Sequence, residues 1–394
     1  MKRFCILINN LPPVYTGGGR QALSLASEFR RLGREVFFIT RKYDGLREFE
    51  QVNGLDIHRL RYTNVGFRNG PQLVVQLYRL CSTLIYLRDR YDVVLYFNPD
   101  GGFHCPWFTI VLLHLFRKKS ACRMGLLYSS DPLGLSRRRF AQWRLLPYRL
   151  HDRVISISRA LTMSYLTVFS NDRKLNYVPN GVDTNLFRPL SDSARRRQCE
   201  ELGLDESLVY CSFVGRLCYR KGVDILIKAW KRIVAQVPNA RLLLIGPEGD
   251  KYRNVAEKKF INSIECKIEE HELSRTIFRI GFTGSVEKYL QVSDLLLFPS
   301  RREGCPNALL EAMSCGLPVV AARIRNITDD LVRHGREGYI VEPEAPDQLA
   351  QKAVEVLSSQ NLRSWMGQQA RERILRDHDI RSVAKKYLQI LEDL

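Results

Sequence analysis

Glu303 and Glu311 stand eight residues apart, and the residues around them decide what two such carboxylates could do. Residues 294–298, Asp-Leu-Leu-Leu-Phe, are a short apolar run suited to a fully buried strand. Pro299-Ser300 ends that run, and residues 301–305 form a polar loop. Pro306 suits the first position of a helix, where its missing N–H costs nothing. Residues 307–315 are mostly helix formers, Gly316 is a natural stop, and Pro318 soon follows. Residues 317–321 then resume as a buried strand. Strand–loop–helix–strand is the repeat of a parallel sheet, whose ligands bind beyond the carboxyl ends of the strands. In such a unit Glu303 belongs to the loop at the mouth. Glu311 lies roughly 7–8 Å further along the helix axis than Pro306, at 1.5 Å per residue. The free amides of the first helical turn would form an anion site between them. A ligand with a phosphate flanked on both sides by hydroxyl-bearing groups matches that layout. The plain alternative is two exposed acids on an ordinary loop and helix.

A second group of charges lies upstream. Residues 209–214 read as a buried strand, followed by Gly215-Arg216-Leu217-Cys218-Tyr219-Arg220-Lys221-Gly222 and a helical pattern from Val223. A guanidinium can grip a phosphate in a planar fork, and an ammonium can add a compact charge beside it. The bland counterpart is a solvated pair of cations on a loop. Near the start, residues 4–8 form a strand-like run, and Thr16-Gly17-Gly18-Gly19-Arg20 opens a helical pattern over about 21–32. Glycines there let the backbone approach a ligand closely and leave amides for a phosphate or sugar oxygen. A tight turn is the plainer explanation of such a run.

Composition bounds the framework that must position these groups. At 394 residues the chain is long for one core, so two domains are expected. A hydrophobic content of 45% is ordinary for a globular protein. The ten cysteines show no CxxC pair and no disulfide-like spacing, which points to thiols in a reducing compartment. No secretory core follows Met1-Lys2-Arg3, and no apolar stretch reaches the ~20 residues of a spanning helix. The expected location is cytoplasmic, either soluble or peripheral on the cytoplasmic face of the membrane. The net charge of +19 is uneven: residues 1–190 hold 29 Lys and Arg against 13 Asp and Glu, the remainder 32 against 29. A net of +16 against +3 suggests that the first half meets a polyanion, either an anionic membrane surface, a phosphorylated acceptor or nucleic acid. No recognised nucleic-acid motif accompanies the charge, so no nucleic-acid partner is expected. Surface arginine used merely for solubility is the remaining explanation.

Other segments carry weaker signals. Residues 73–90 look like an amphipathic helix and 92–97 like a buried strand. Residues 103–116, strongly apolar and aromatic, precede Arg117-Lys118-Lys119. They suit a membrane-surface helix with a basic collar or, slightly favoured, a core helix. Residues 124–131 read as a strand ending in Ser130-Asp131. Arg137-Arg138-Arg139, Arg144, Arg149 and Arg153 interleave with Phe140, Trp143 and Tyr148. Such a stretch marks headgroups or nucleic acid, or else an ordinary helix face along which arginine stems lie. Residues 187–189 and the polar 191–197 read as a linker, and 241–245 as a strand before the loop 246–249. Asp377-His378-Asp379 has a metal-like spacing but follows a helix, so no metal site is expected there.

The string Glu303-Gly304-x-Pro306 … Leu310-Glu311-Ala312-Met313-x-x-Gly316-x-Pro318-Val319-Val320 resembles the Glu-x7-Glu signature of the retaining, family-4 type of nucleotide-sugar glycosyltransferase. Gly215-Arg216 … Lys221-Gly222, Asn180-Gly181-Val182-Asp183 and the Gly-Gly loop follow the same family's order, so the resemblance spans nearly the whole chain. It implies an α/β protein of two Rossmann-like domains facing across a cleft, the GT-B fold. Residues 1–188 would be the acceptor-binding domain and 189–379 the nucleotide-sugar-binding domain, with 380–394 a helix crossing back to the first. The implied reaction moves a sugar from a nucleotide diphosphate sugar to an acceptor hydroxyl, with anomeric retention and with no metal or further cofactor. Lipid-linked or saccharide acceptors would place it in polysaccharide, lipopolysaccharide or glycolipid synthesis. Arg216 and Lys221 would stabilise the diphosphate as it leaves, helped by Pro306, Asn307, Ala308 and Leu309 at the helix start. Glu311 would hold the ribose hydroxyls and Glu303 those of the donor sugar. Gly215 would line the donor side, with Gly281, in 277–282, beside the base. Gly18, Gly19 and Arg20 would line the crevice near the phosphate and the acceptor. In such enzymes the leaving phosphate itself takes the acceptor's proton, which fits a chain with no obvious protein base. One departure stands out, because family members commonly carry a His where Ser130-Asp131 stands, leaving Asp131 at the mouth. His104 comes too early and His151 too late to replace it. That departure keeps open a nucleotide-sugar-binding subunit impaired in catalysis. A phosphorylase or epimerase on the same fold is a further alternative.

Overall fold

The computed structural model describes residues 1–14, 16–61, 70–97, 106–129, 131–170, 173–248 and 255–394. Tyr15, Ser130, His104 and Gly249 of the segments discussed above, and the start of 103–116, lie outside the described residues. The chain divides into two compact units, Met1–Gly181 with Ile380–Leu394, and Val182–Asp379.

The first unit is built on β1 (Phe4–Leu7), β2 (Val36–Lys42), β3 (Phe49–Val52), β4 (Leu55–Arg61), β5 (Val93–Phe97), β6 (Lys119–Arg123), β7 (Arg153–Ser156) and β8 (Leu175–Tyr177). They form one sheet in the order β3-β4-β2-β1-β5-β6-β7-β8. Every pairing is parallel except that of β3 with β4. The sequences Phe-Cys-Ile-Leu of β1 and Val-Val-Leu-Tyr-Phe of β5 are buried throughout, as strands covered on both faces must be. Chain order runs outward from β5 through β8 on one side, while on the other β2 is followed by β4, with β3 at the edge. The helix Ile380–Glu392 buries Ile380, Val383, Ala384, Tyr387, Leu388 and Leu391, the i, i+3, i+4, i+7 stripe of an amphipathic helix. That stripe packs on the helix Gly17–Arg31 and shares a core with Ile6, Leu25 and Phe29.

The second unit carries β9 (Val209–Val214), β10 (Ala240–Ile245), β11 (Ile277–Gly281), β12 (Leu295–Phe298), β13 (Val319–Ala322) and β14 (Gly338–Val341). These pair in parallel in the order β11-β10-β9-β12-β13-β14. Trp230, Leu226 and Ile233 of the helix Val223–Gln236 lie in one core with Leu242 and Leu244 of β10 and Leu295 and Leu297 of β12. Both units are therefore Rossmann-like α/β layers.

Three expectations need correction. The strand expected over 124–131 is instead Lys119–Arg123, and residues 124–129 leave the sheet. Ser120 and Arg123 of this strand are buried, and partners distant in sequence hold them. Ser120 N donates to Asp152 Oδ2 at 2.9 Å, and Arg123 donates to Asn180 with its guanidinium 4.8 Å from the Phe97 ring. The stretch 191–197, expected as linker, opens the helix Asp192–Glu201, which Ser191 caps by accepting from Ala194 N at 3.4 Å. The units divide at Gly181/Val182 rather than at 188. Residues 182–188 stay with the second unit because Arg371 donates to Phe187 O at 2.7 Å and to Thr184 O at 2.8 Å. Asp377 pairs with Arg376, while Asp379 accepts from the Thr184 hydroxyl, so both carboxylates of that short motif have protein partners.

Candidate active site

In the second sheet, chain order reverses between β9 and β12: β10 and β11 lie on one side, β13 and β14 on the other. A parallel sheet offers its ligand crevice at such a switch point, beyond the carboxyl ends of the two strands. The loops leaving β9 and β12 carry Gly215, Arg216, Lys221, Glu303 and Pro306. They also touch each other. Gly222 has φ +71°, and a Cβ there would fall 2.0 Å from Pro299 O, so only glycine lets the first loop lie against the second. Gly246, after β10, presses equally closely on Gly215, since its Cβ would stand 2.3 Å from Gly215 O.

The charges meet where the loops meet. Lys221 Nζ donates to Glu303 Oε1 at 2.6 Å, and Ser300 Oγ donates to the same oxygen at 2.9 Å. Arg220 Nη1 lies 3.4 Å from it. Glu303 is only 7% exposed. Burial pushes its carboxyl pKa up, but the cations of Lys221 and Arg220, with the bonds from Lys221 and Ser300, bring it below the ordinary value. Glu303 is thus an ionised, buried carboxylate. Oε2 takes none of these bonds.

Arg216 contrasts with this cluster. It is exposed, and among the described residues its guanidinium has no hydrogen bond or ion pair. The turn bearing Arg220 and Lys221, Tyr219–Lys221, is braced from the other loop. Arg301 stacks 3.7 Å over the Tyr219 ring and donates in a fork to Asp224, at 2.8 Å from each oxygen. It also bonds Glu344 at 2.5 and 2.8 Å, and its amide donates to Arg220 O at 2.9 Å.

The helix after this loop is Asn307–Ser314, with Pro306 as its extended N-cap. Leu309 N and Leu310 N both close on Pro306 O, at 3.1 and 3.3 Å. Leu309 is therefore committed to the helix, against the expectation that its amide would serve a ligand. The Ala308 amide has no partner among the described residues. Glu311 sits one turn further on, 6% exposed. Gly281 ends β11 at φ +71° with nothing within 4 Å of a Cβ, so the space above it is open.

The first unit places its expected residues less openly. Thr16 caps the helix Gly17–Arg31 by accepting from Gly19 N at 3.0 Å, and a Cβ on Gly19 would lie 2.5 Å from Asn10 O. Gly19 thus serves the turn itself. Gly18 borders open space, and Arg20 N closes on Thr16 O at 3.1 Å. Asp131 is 0% exposed and does not stand at an open mouth. It caps the short helix Pro132–Ser136, accepting from Ser129 N at 3.1 Å, Gly134 N at 3.2 Å and Ser164 Oγ at 2.5 Å. His151 is fully buried against the Tyr96 ring, and desolvation lowers its pKa to about 3, so it is a neutral core histidine.

Sequence reasoning thus found Lys221 and Glu303 but missed Arg220, Ser300 and Arg301, which hold them. The signal for Arg220 was present, as the residue next to Lys221 on a three-residue turn. Nothing local announces Arg301, whose partners lie 43–82 residues away.

The profile of Glycosyltransferase Family 4 matches residues 15–186, and that of Glycosyl transferases group 1 matches residues 194–373. An uncharacterized glycosyltransferase of Methanocaldococcus jannaschii is 26% identical over 402 residues, covering 96% of this chain and 95% of that one. A GDP-mannose-dependent alpha-(1-6)-phosphatidylinositol monomannoside mannosyltransferase of Mycolicibacterium smegmatis is 29% identical over 225 residues, covering 55% of this chain and 56% of its own length. The crystal structure of Anabaena HepE in complex with UDP-glucose shares the fold, with a TM-score of 0.80 at 18% identity over the whole of both chains.

Proposed function

The chain belongs to the family-4, group 1 glycosyltransferases with the GT-B fold, and on that premise we propose that it transfers a sugar from a nucleotide diphosphate sugar to an acceptor hydroxyl with retention at the anomeric carbon. The single observation that carries this reading is the Lys221–Glu303–Arg220 cluster at the switch point, with unpaired Arg216 on the same loop. Arg216 binds the diphosphate in a planar fork, and Lys221 lends it charge while keeping Glu303 ionised. The Ala308 amide and the start of its helix add an electropositive end. As the anomeric carbon–oxygen bond breaks, negative charge gathers on the diphosphate, and groups already aimed there stabilise it. The leaving phosphate oxygen accepts the acceptor's proton as the new glycosidic bond forms. Glu303, through Oε2, orients the donor sugar's hydroxyls, and Glu311 holds the ribose. Gly215, Gly281, Pro306 and Asn307 line the donor; in the first unit, Gly18 and Arg20, at the start of the helix Gly17–Arg31, are assigned to the acceptor, while Gly19 keeps its turn. No step calls for a metal or a further cofactor.

A lipid-linked or saccharide acceptor is supported by the mannosyltransferase relative, whose name gives a phosphatidylinositol monomannoside. Polysaccharide, lipopolysaccharide or glycolipid synthesis on the cytoplasmic side would be the setting. Asp131, being a helix cap, takes no part. The test is to supply candidate donors with lipid-linked and saccharide acceptors and to read the product's anomeric configuration by NMR. A product with the donor's configuration is expected, and an inverted product would refute the retaining assignment.

A further inference from the structure

In the first unit, the helix Pro106–Leu115 reads Pro-Trp-Phe-Thr-Ile-Val-Leu-Leu-His-Leu. A helix so apolar all round belongs inside a core or against lipid. Here Ile110 and Leu113 are fully buried, and Thr109 is tied inward by Tyr96 OH at 2.8 Å. The other face is in solvent: Phe108 is 47% exposed, Val111 41% and Leu115 76%. The stripe continues onto the helix Ala141–Leu150, which packs beside it. Trp107 stacks on Phe108 at 3.6 Å between centroids and lies 5.9 Å from Trp143, itself 62% exposed. Phe140 is 64% exposed, held at φ +61°, a conformation bulky side chains rarely adopt. Single exposed apolar residues need no explanation, but a contiguous aromatic and aliphatic stripe does.

Charge frames the stripe. Arg137, Arg138 and Arg139 are exposed beside Phe140, and among the described residues no carboxylate pairs with them. Arg117 stands likewise at the other end, whereas Lys118 and Lys119 are paired with Asp92 and Asp152. No helix among the described residues is long and apolar enough to cross a membrane.

We propose that this face docks the protein on an anionic lipid bilayer. Trp143, Phe108, Val111 and Leu115 enter the boundary between headgroups and acyl chains, while Arg137, Arg138 and Arg139 pair with lipid phosphates. Aromatic rings beside arginines suit that boundary, where one end of a side chain is apolar and the other wet. A nucleic acid would leave Val111 and Leu115 unused. A second copy of the chain, meeting this face about a two-fold axis, would bring the unpaired arginine clusters toward each other. The inference rests on the surface of the first unit alone, so its failure would leave the transfer reaction standing, and failure of that reaction would leave the docking face standing.

The test is flotation of the full chain with vesicles of phosphatidylcholine alone and of phosphatidylcholine mixed with phosphatidylglycerol. It is run at about 0.01 M and about 1 M salt, where the Debye length is roughly 30 and 3 Å. Strong flotation with the anionic vesicles at low salt, weakened at high salt, is expected. Changing Arg137, Arg138 and Arg139 together to Gln should lower partitioning by about 100-fold, each cation near an anionic leaflet being worth about 5-fold. Trp143→Ser with Phe108→Ser should lower it as well, and circular dichroism should show both exposed-site variants folded. Tryptophan emission should shift to the blue on vesicle binding, less so in Trp143→Phe. No flotation with anionic vesicles at low salt, or triple-Gln flotation equal to the parent's, would overturn the proposal. So would a dimer abolished by Trp143→Ser with vesicle binding unchanged, which would assign the face to a second copy.

Discussion

Lys221 and Glu303, 82 residues apart in sequence, meet at 2.6 Å where the loops leaving β9 and β12 touch. The ammonium and the carboxylate are both largely withdrawn from water, with side chains 13% and 9% exposed. A buried pair of this kind is weak evidence for stability, since desolvation of both ions offsets much of their attraction. It is better understood as positioning. The pair holds two ionised groups at the sheet's switch point, and Arg216 stands unpaired on the same loop.

Arg216→Ala should lower kcat/KM by about 100–1,000-fold, the scale of losing one charge aimed at a developing anion. Stability should barely change, because the exposed side chain has no partner to leave behind. Steady-state kinetics beside a thermal melt checks both halves. Near-normal transfer would sink the assignment.

Glu303 should make the protein acid-sensitive. Burial raises its pKa, but Lys221 and Arg220 outweigh that, so its native value lies below the ordinary carboxylate value. A carboxylate depressed in this way contributes stability that is present above its unfolded value, about 4.3. That contribution is lost as pH falls through the lower native value. Glu303→Gln should therefore lose less stability than the parent between about pH 6 and pH 3. Melts across that range measure it, and equal acid loss in both proteins would contradict the account.

The two carboxylates should separate kinetically. Glu311→Gln should chiefly raise the donor KM, because ribose contacts exist before and during reaction. Glu303→Gln should chiefly lower kcat, because contacts to the donor sugar position the reacting carbon. Identical losses confined to KM in both variants would remove the division of roles.

Arg301→Lys keeps the charge but loses the planar fork to Asp224 and the stacking on Tyr219. A loss of about 1–3 kcal/mol is expected from the carboxylate left without its donors. Urea denaturation reads it, and a change within about 0.5 kcal/mol would show the brace to be idle.

What the sequence disclosed followed from local patterns. The two central strands of the second unit are dominated by apolar residues, so 209–214 and the run containing Leu295–Phe298 could be read directly, together with the loops they feed. The strand Lys119–Arg123 could not, because Lys-Ser-Ala-Cys-Arg is polar and its burial depends on Asp152, Asn180 and Phe97. The helix Asp192–Glu201 buries only Cys199, so it has no apolar stripe to announce it, though Ser191 offered a cap. Asp131 was misplaced for the same reason as its strand. Once the strand shifts earlier, the carboxylate falls on a helix start and is consumed there.

The central claim, that Arg216 and Lys221 hold the diphosphate of a donor, is tested most directly by thermal shift with UDP, GDP, ADP and their monophosphates. A ligand at 100 times its Kd stabilises the folded chain by roughly 2.7 kcal/mol. One nucleoside diphosphate should raise the melting temperature well above its monophosphate, and Arg216→Ala and Lys221→Ala should each abolish most of that difference. A parent protein shifted by none of these diphosphates, or variants shifted as far as the parent, would contradict the claim.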